Sequence, residues 1–411
     1  MVEMTGERGA ILSLECTKDD VDGDGDGDGD ATTTGTDDSH NDDSHNEDGG
    51  DGHDYECSTD PQCSNGICEH YYCREVDELP SCDSPESLVE LPIPEQLDGV
   101  LRLAMGDVDD DGDDDILAAD SYGVTAVLDD LTVFSALGPW QIESMTGFEL
   151  DGDGSLDLAV WQQGSLELYA GDGAGNFVAL EPLDGVLDKV GELARFDADG
   201  DGDDDLIAQG SVQGSLDTHI AVWVNEGGVI TPMPAIEAGK YGFEVADFGS
   251  DGRDEFVAQS AWSMRVYWYG PPWDSAALEG MGACEGLAAV QHPGTLHLGL
   301  LGVADRYPTQ LLHSWTGKAP FPDDHDGRLR MPGDAPLLTA GDFDGDGWSS
   351  GFAYGGSTES LVIRLGLSMA EHCYGPTLPN TERAVVGDVD GDHDDELAIV
   401  VDGALRLYGD P

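Results

Sequence analysis

A nine-residue motif, Asp-x-Asp-x-Asp-Gly-x-x-Asp, recurs between short apolar runs and constrains the fold more than any other feature of this chain. Complete copies begin at Asp107 and Asp197, weaker copies begin at Glu149, Asp247, Asp342 and Asp388, and a copy without acids begins at Gln291. The first positions are separated by 42, 48, 50, 44, 51 and 46 residues. A period in the forties with four strand-sized runs per repeat is typical of a β-propeller.

The region 83–411 is therefore predicted to be an all-β, seven-bladed β-propeller of four-stranded blades. Its apolar runs of 4 to 8 residues alternate with Gly- and Asp-rich turns, and no helical period is sustained over ten residues. The final repeat has only three strand-sized runs before the chain stops. We expect the run Leu88–Ile93 to supply the missing outer strand and close the ring, because this removes an open edge.

The segments ahead of the propeller differ in composition. Residues 17–56 are nearly all Asp, Gly, Ser, Thr, Asn and His, which predicts a disordered linker. Residues 57–82 hold five cysteines, which predict a small disulfide-stapled module; a zinc site is the alternative, although no Cys-x2-Cys pair is present. If four of these cysteines pair locally, we expect the fifth, Cys82, to bridge to Cys373 near the closing strand.

Residues 1–16 resemble the leader of a bacterial lipoprotein, with Ile11, Leu12 and Leu14 ahead of Cys16. The apolar run is short, and Glu15 stands where a small residue is expected. Two interpretations stay open: lipidation of Cys16, which would tether the protein to a membrane, or a wrongly assigned start.

The acidic loops predict calcium binding. Acids at loop positions 1, 3 and 5 can converge, Gly at position 6 allows a tight reversal, position 7 offers a carbonyl and the acid at position 9 closes the shell. Hard oxygen ligands select Ca²⁺ over soft metals. The alternative for any single copy is a solvated acidic loop, but repetition at the same spacing favours several ions, roughly four to six.

The candidate ligands are the residues at positions 1, 3, 5, 7 and 9 of each loop. They are Asp107, Asp109, Asp111, Asp113, Asp115; Glu149, Asp151, Asp153, Ser155, Asp157; Asp197, Asp199, Asp201, Asp203, Asp205; Asp247, Asp251, Arg253, Glu255; Asp342, Asp344, Asp346, Trp348; Asp388, Asp390, Asp392, Asp394, Glu396. Weak or vacant sites are expected at the Asp247 loop, which has Gly249 at position 3, and at the Asp342 loop, which has Ser350 at position 9. In the Asp388 loop His393 replaces the turn glycine.

The charge of the chain limits its partners. It has 86 Asp and Glu against 16 Lys and Arg, a formal net charge of -70. Nucleic acid is excluded as a partner, because phosphate binding depends on clustered Lys and Arg. No apolar run approaches the roughly 18 residues of a membrane span. We expect a monomer with an unidentified protein or glycan ligand.

Each repeat resembles an FG-GAP or VCBS repeat, the propeller unit of integrin α-chain heads and of many bacterial surface proteins. The phrases Tyr169-Ala-Gly-Asp-Gly-Ala-Gly-Asn-Phe177 and Val386-Gly-Asp-Val-Asp-Gly-Asp392 carry the resemblance. It covers about residues 88–411 and implies a calcium-binding propeller on the extracellular side or outer cell surface. Family members serve in adhesion, in ligand binding and as accessory domains of enzymes. The cysteine-rich segment resembles, more loosely, short modules in surface proteins of myxobacteria.

A binding or scaffold role is favoured over catalysis. The chain lacks His-Glu-x-x-His and a phosphate loop, and the metal loops account for its acid pairs. A lectin-like propeller is the first alternative, because Trp268 and Trp273 belong to an aromatic cluster that could contact a sugar or a protein, with Trp273 expected to be exposed. Packing of these rings between blades is the competing interpretation. A polysaccharide-degrading enzyme is the less favoured alternative.

Overall fold

The computed structural model describes most of the chain between residues 66 and 409. The described ranges are 66–69, 72–75, 77–83, 88–93, 97–128, 133–137, 142–183, 186–212, 215, 217–238, 242–260, 263–270, 273–278, 284, 286–291, 298–306, 309–315, 327–366 and 371–409. The predictions for Cys16, for the linker 17–56 and for most of the cysteine-rich segment lie outside these ranges. No helix in the described ranges has the length and apolar character needed to cross a bilayer.

The chain divides into two compact units, one containing Lys18–Glu75 and the other containing Val76–Pro411. In the first unit, β1 (Gly66–Glu69) and β2 (Tyr72–Glu75) form an antiparallel hairpin. Its register places Cys68 directly opposite Cys73. The cysteine-rich segment therefore contains a β-hairpin.

The second unit is built from antiparallel sheets of consecutive strands, here called blades. The strand β3 (Val89–Leu91) precedes blade 1, which is β4 (Arg102–Gly106), β5 (Asp115–Ala119), β6 (Val124–Val127) and β7 (Val133–Leu137). Blade 2 is β8 (Ile142–Phe148), β9 (Asp157–Gln162), β10 (Ser165–Gly171) and β11 (Phe177–Ala179). Blade 3 is β12 (Lys189–Phe196), β13 (Asp205–Ser211), β14 (Thr218–Asn225), β15 (Ile230–Pro232) and β16 (Ile236–Glu237).

The remaining blades follow the same order. Blade 4 is β17 (Phe243–Ala246), β18 (Glu255–Ser260), β19 (Ser263–Trp268) and β20 (Asp274–Ala277). Blade 5 is β21 (Gly286–Gln291), β22 (Leu298–Arg306), β23 (Thr309–Trp315) and β24 (Gly327–Arg330). Blade 6 is β25 (Leu337–Gly341), β26 (Ser350–Tyr354), β27 (Ser360–Arg364) and β28 (Cys373–Leu378). Blade 7 is β29 (Arg383–Gly387), β30 (Glu396–Val401) and β31 (Ala404–Gly409), with β3 as its fourth strand.

The prediction of seven four-stranded blades is wrong in strand number. In the described part of the chain six sheets have four strands, and blade 3 has five. The outer part of blade 3 is split, because β15 pairs with one stretch of β14 and β16 with another. Pro232 and Pro234 lie at this break. Since proline has no N–H to donate to the ladder, it interrupts a continuous outer strand.

The blades are arranged as a closed propeller. Their first strands, β4, β8, β12, β17, β21, β25 and β29, contact one another in that order, and β29 contacts β4. The predicted closing strand is confirmed: β3 pairs antiparallel with β31, with Leu91 opposite Leu407. The predicted Cys82–Cys373 disulfide is also present and joins residues 291 positions apart.

Residues 77–83 belong to the propeller unit, whereas the sequence placed the domain boundary at residue 83. Leu79 donates its N–H to the Arg330 carbonyl at 2.9 Å, and Cys82 donates to the Tyr374 carbonyl at 2.9 Å. Leu79 is also buried in a core cluster with residues of blades 5 and 6. Cysteine spacing alone could not show that the end of this segment packs on the propeller.

The core consists of apolar layers between neighbouring blades. Leu117 of blade 1 packs in one cluster with Leu158 of blade 2, and Trp161 of blade 2 packs with Leu206 of blade 3. The second strands of blades 1 and 2 are buried at every position. Such strands lie between two sheets, which explains why they read as continuous apolar runs in the sequence.

Candidate metal-binding loops

Each acidic loop connects the first and second strands of its blade. In blade 1 the last ladder pair is Gly106 with Asp115, and in blade 3 it is Phe196 with Asp205. The acid at position 9 is therefore the first residue of the second strand, and the ladder fixes its place. Because the loops occupy the same connection in their blades, they lie at the same end of the sheets.

Two positions in each loop have a left-handed backbone, which turns the chain back on itself. Position 6 has positive φ in six loops, at Gly112, Gly154, Gly202, Gly252, Gly347 and His393. Position 4 also has positive φ in these loops, at Asp110, Gly152, Gly200, Ser250, Gly345 and Gly391. Glycine adopts this conformation at little cost, and Asp and His tolerate it better than most side chains. His393 therefore preserves the reversal of its loop.

Five loops bring three carboxylates together. The ligand atoms within each group lie within 4.8 Å of one another: Asp107, Asp109, Asp115; Glu149, Asp151, Asp157; Asp197, Asp199, Asp205; Asp342, Asp344, Asp346; Asp388, Asp390, Glu396. Oxygens bound to one calcium ion at about 2.3–2.6 Å cannot be farther apart than roughly 5.2 Å. The grouped carboxylates therefore fit a calcium-sized cation.

Four of these groups use positions 1, 3 and 9, and the exposed acids at position 5, Asp111, Asp153, Asp201 and Asp392, are not members. At position 7, the Ser155 hydroxyl donates to Asp110 Oδ2 of blade 1 at 3.1 Å, and Asp203 Oδ2 accepts the Gly227 N–H at 2.8 Å. In these four loops the structure thus places the position-5 acid at the exposed rim, outside the three-carboxylate group.

The first acid also closes the loop by accepting backbone hydrogen bonds. The N–H of Gly112 donates to Asp107 at 2.9 Å, and that of Gly347 donates to Asp342 at 2.7 Å. The corresponding bonds to Glu149, Asp197, Asp247 and Asp388 come from Gly154, Gly202, Gly252 and His393. The left-handed residue at position 6 therefore directs its N–H to the first carboxylate.

The closing acids are buried and bound to backbone N–H groups. Asp157 accepts from Leu150 at 2.7 Å and from Gly171 at 2.8 Å. Asp205 accepts from Ala198 at 2.9 Å and from Asn225 at 2.7 Å. Burial raises the pKa of Asp157 to about 6 and that of Asp205 to about 7, although the N–H groups oppose this shift. Burial likewise raises the pKa of Glu396 to about 7.

The Asp388 loop shows most directly how a cation fits. Asp388 Oδ2 accepts the His393 N–H at 3.1 Å. Asp388 Oδ1 is buried and accepts no hydrogen bond from the described residues. A buried carboxylate oxygen without a donor is costly, and a cation held with Asp390 and Glu396 would satisfy it.

The two degenerate loops behave differently. The Asp342 loop, predicted to be weak, groups three acids, with Asp346 included and a buried Ser350 in place of the closing acid. The Asp247 loop forms no such group among the described residues. Its Glu255 accepts the Gly249 N–H at 2.7 Å, and Glu255 Oε1 would lie 2.8 Å from a Cβ at Gly249. The closing carboxylate thus occupies the space that a position-3 acid would need.

Sequence reasoning missed the role of position 8, which connects neighbouring blades. Asp204 accepts the Glu149 N–H, Asp254 accepts the Asp197 N–H and Asp395 accepts the Asp342 N–H, at 2.9, 2.9 and 2.7 Å. Ser349 does the same for Gln291 at 2.9 Å, in the repeat that has lost its acids. Each bond joins position 8 of one blade to position 1 of the preceding blade. The only sequence signal for this role was the Asp that recurs at position 8. The motif does not show that this Asp accepts a hydrogen bond from the preceding blade.

The aromatic candidates lie in the packing of blade 4. Trp268 and Trp273 are both half-buried. The ring of Trp273 makes edge contacts with Phe256 at 5.4 Å and Tyr269 at 5.7 Å between centroids. Pro271 and Pro272 are outside the described residues. The edge contacts of Trp273 therefore support the interpretation in which these rings pack within the fold.

Comparison with known proteins agrees with this architecture. Solved structures similar to this chain include "BBS1N in complex with ARL6DN, soaked with lead", with TM-score 0.53 and 12% identity, covering 77% of this chain and 97% of that one. Another is Kuenenia stuttgartiensis hydrazine synthase, with TM-score 0.51 and 13% identity, covering 76% and 96%. At these identities the likeness concerns the fold alone, and it defines the class as a β-propeller. A search of curated proteins found no significant match.

One part of the propeller matches a known repeat family. Residues 150–208 match the FG-GAP-like repeat family model. This range includes the Glu149 and Asp197 loops almost entirely, together with the strands between them. The chain therefore contains an FG-GAP-like repeat, at residues 150–208, within a β-propeller.

The raised pKa values predict a pH dependence that calcium should change. The metal-free folded protein holds protons on Asp157, Asp205 and Glu396 up to about pH 6 to 7, whereas the unfolded chain releases them near pH 4. Its free energy of unfolding should therefore fall as pH rises from about 4 to about 7. A bound cation replaces these protons, so the fall should be smaller in excess calcium. Melting temperatures between pH 5 and 8, with chelator or calcium, measure both slopes.

A matched variant separates this effect from general charge repulsion. Asp205→Asn removes one titrating group and should flatten the pH dependence in chelator. The measurements are made in about 0.5 M NaCl, which screens the repulsion among exposed acids. Equal slopes with chelator and with calcium would contradict the assignment of these carboxylates to ion sites.

Proposed function

We propose that this protein is a non-catalytic ligand-binding or scaffold module of the extracellular side whose propeller is stabilised by calcium. The observation that carries the proposal is the convergence of three carboxylates, within 4.8 Å, at the same connection of five blades. Hard carboxylate oxygens in a tight loop favour Ca²⁺. The Cys82–Cys373 disulfide supports an oxidising compartment.

A calcium count tests the metal part of the proposal. Isothermal titration of chelator-treated full-length protein should give four or five ions. Asp199→Asn should remove one of them, because Asp199 belongs to a three-carboxylate group. Asp251→Asn is the control and should remove none, because its loop forms no such group among the described residues. The proposal fails if the titration detects no site or if both variants lose the same number.

The ligand part requires a binding screen. Protein and glycan arrays are probed with the full-length chain, with calcium and with chelator, and calcium-dependent capture of a defined protein or glycan is expected. The net charge of -70 favours a partner with a basic surface. Turnover of a polysaccharide in the same samples would contradict the non-catalytic assignment.

A further inference from the structure

We propose that ion occupancy of the Asp197–Asp205 loop and of the Glu149–Asp157 loop is energetically coupled, with Asp204 and Asn225 as the positioning residues that carry the coupling. This inference rests on the calcium binding proposed above. It concerns blades 2 and 3, where a side chain from one loop and a buried amide connect the ligands of the two sites.

The first connection is made by Asp204, which immediately precedes the closing acid Asp205. Its Oδ2 accepts the Glu149 N–H at 2.9 Å, and Glu149 is the first carboxylate of the blade 2 site. Arg195 lies 3.5 Å from the same oxygen and helps to hold it. A shift of the Asp205 end of the blade 3 loop therefore acts on the backbone of the blade 2 loop.

The second connection is made by Asn225, which is fully buried. Its backbone N–H donates to Asp205 Oδ1 at 2.7 Å. Its side-chain Nδ2 donates to the Leu150 carbonyl of blade 2 at 2.8 Å and to the Asp204 carbonyl at 3.2 Å. Its Oδ1 accepts the Gly228 N–H at 2.9 Å. One side chain thus binds the loops of both sites.

The path continues to the closing acid of blade 2. Leu150 accepts from Asn225 through its carbonyl and donates its N–H to Asp157 Oδ2 at 2.7 Å. The closing carboxylates Asp205 and Asp157 are therefore joined through two residues and an unbroken series of hydrogen bonds. Both acids are buried, at 0% and 2% exposure.

This arrangement couples the sites for a physical reason. A buried polar group that loses its partner costs free energy, so Asn225 must follow the two loops together. An ion that fixes Asp205 fixes Asn225, and Asn225 then holds Leu150 and Asp157 in the geometry that the second ion needs. Coupling of this kind is reciprocal, and typical values change affinity about fivefold or more.

Amide NMR of the full-length protein tests the coupling site by site. The backbone signals of Gly154 and Gly202 report the blade 2 and blade 3 loops, and that of His393 reports blade 7, which is separated from blade 2 by blade 1. In Asp199→Asn, the calcium midpoint of the Gly154 signal should rise about fivefold or more. The His393 midpoint, measured in the same titration, should stay the same.

Variants of the positioning residues then test the path. When Asp204→Ala is already present, adding Asp199→Asn should raise the calcium midpoint of the Gly154 signal by a smaller factor than it does in the otherwise unaltered protein. Asp204→Ser should keep the coupling, because Ser349 makes the equivalent bond in another blade pair. Asn225→Asp removes the Nδ2 donor with little change in volume and should reduce the coupling in the same way.

The outcomes separate this inference from the proposed function. If Gly202 no longer responds to calcium in Asp199→Asn while the Gly154 midpoint is unchanged, the coupling is overturned and calcium binding stands. If the Gly154 and His393 midpoints move by the same factor, the effect is global and the Asp204–Asn225 path is also overturned. If no loop signal responds in the unaltered protein, calcium binding itself fails.

Discussion

A chain that begins at residue 95 is expected to aggregate, or to melt at least about 10 °C lower than a chain that begins at residue 87. The eight residues between these starts contain β3, the fourth strand of blade 7. Without β3, the strand β31 becomes an open edge. Leu91 and Ile93 pack against the cluster of blades 7 and 1, and their loss removes on the order of 1–2 kcal/mol each, since they are only partly buried.

The comparison is designed so that only β3 differs. Both chains lack residues 77–83 and the disulfide, and both carry Cys373→Ser to avoid an unpaired thiol. A third chain begins at residue 77, carries Cys82→Ser with Cys373→Ser, and shows what residues 77–83 contribute without the disulfide. Thermal unfolding in calcium gives the three melting temperatures. Equal values for the starts at 87 and 95 would show that the propeller does not depend on this closure.

Removal of calcium is expected to lower the melting temperature of the full-length protein by about 10 °C or more. Each site stabilises the folded state by about 2.7 kcal/mol at a calcium concentration 100 times its dissociation constant. One kcal/mol corresponds to roughly 2–4 °C for domains of 150–250 residues, and less for a larger domain. Part of the lost stability is electrostatic. In each of four groups three acids lie close together and the closing carboxylate is buried, so these acids repel one another when the cation is removed.

A pair of variants identifies the source of this stabilisation. Asp109→Asn should lower the melting temperature in calcium but not in chelator, since it removes a ligand and also a repelling charge. Asp111→Asn, at the exposed rim of the same loop, should have a smaller effect in calcium. Scanning calorimetry with and without chelator provides the four values. A melting temperature independent of chelator in the unaltered protein would contradict the calcium sites.

The bonds at position 8 suggest why the loops recur in neighbouring blades. Asp204, Asp254 and Asp395 each connect their own loop to the first residue of the preceding loop. Ordering of one loop thus stabilises the start of the preceding loop. This accounts for the retention of the Ser349–Gln291 bond in the repeat whose acids are lost, because the bond serves the ring even where the loop lacks the acid pattern.

The sequence alone determined the features that depend on local chemistry and on repetition. The spacing of the motif predicted the propeller, since a period in the forties with four strand-sized runs per repeat is typical of that fold. The three-strand final repeat predicted that the run Leu88–Ile93 supplies the closing strand, because an open edge is unfavourable, and the structure has this strand at Val89–Leu91. The leftover cysteine predicted the bridge to Cys373 by the same closure.

Only the tertiary structure decided which groups meet across blades. The Asp247 loop was expected to be weak or vacant because Gly249 stands at position 3, but only the structure shows that Glu255 turns toward Gly249. Glu396, also a glutamate, instead joins the acid group of its own loop. Trp273 was expected to be exposed, yet its ring packs against Phe256 and Tyr269. The partners of Asp204 and Asn225 lie 55 and 75 residues away, so no local pattern could reveal them. The contacts of Asp204 and Asn225 depend on how two twisted sheets pack against each other, which motif spacing does not encode. The contacts of Glu255 and Trp273 depend on side-chain packing within blade 4.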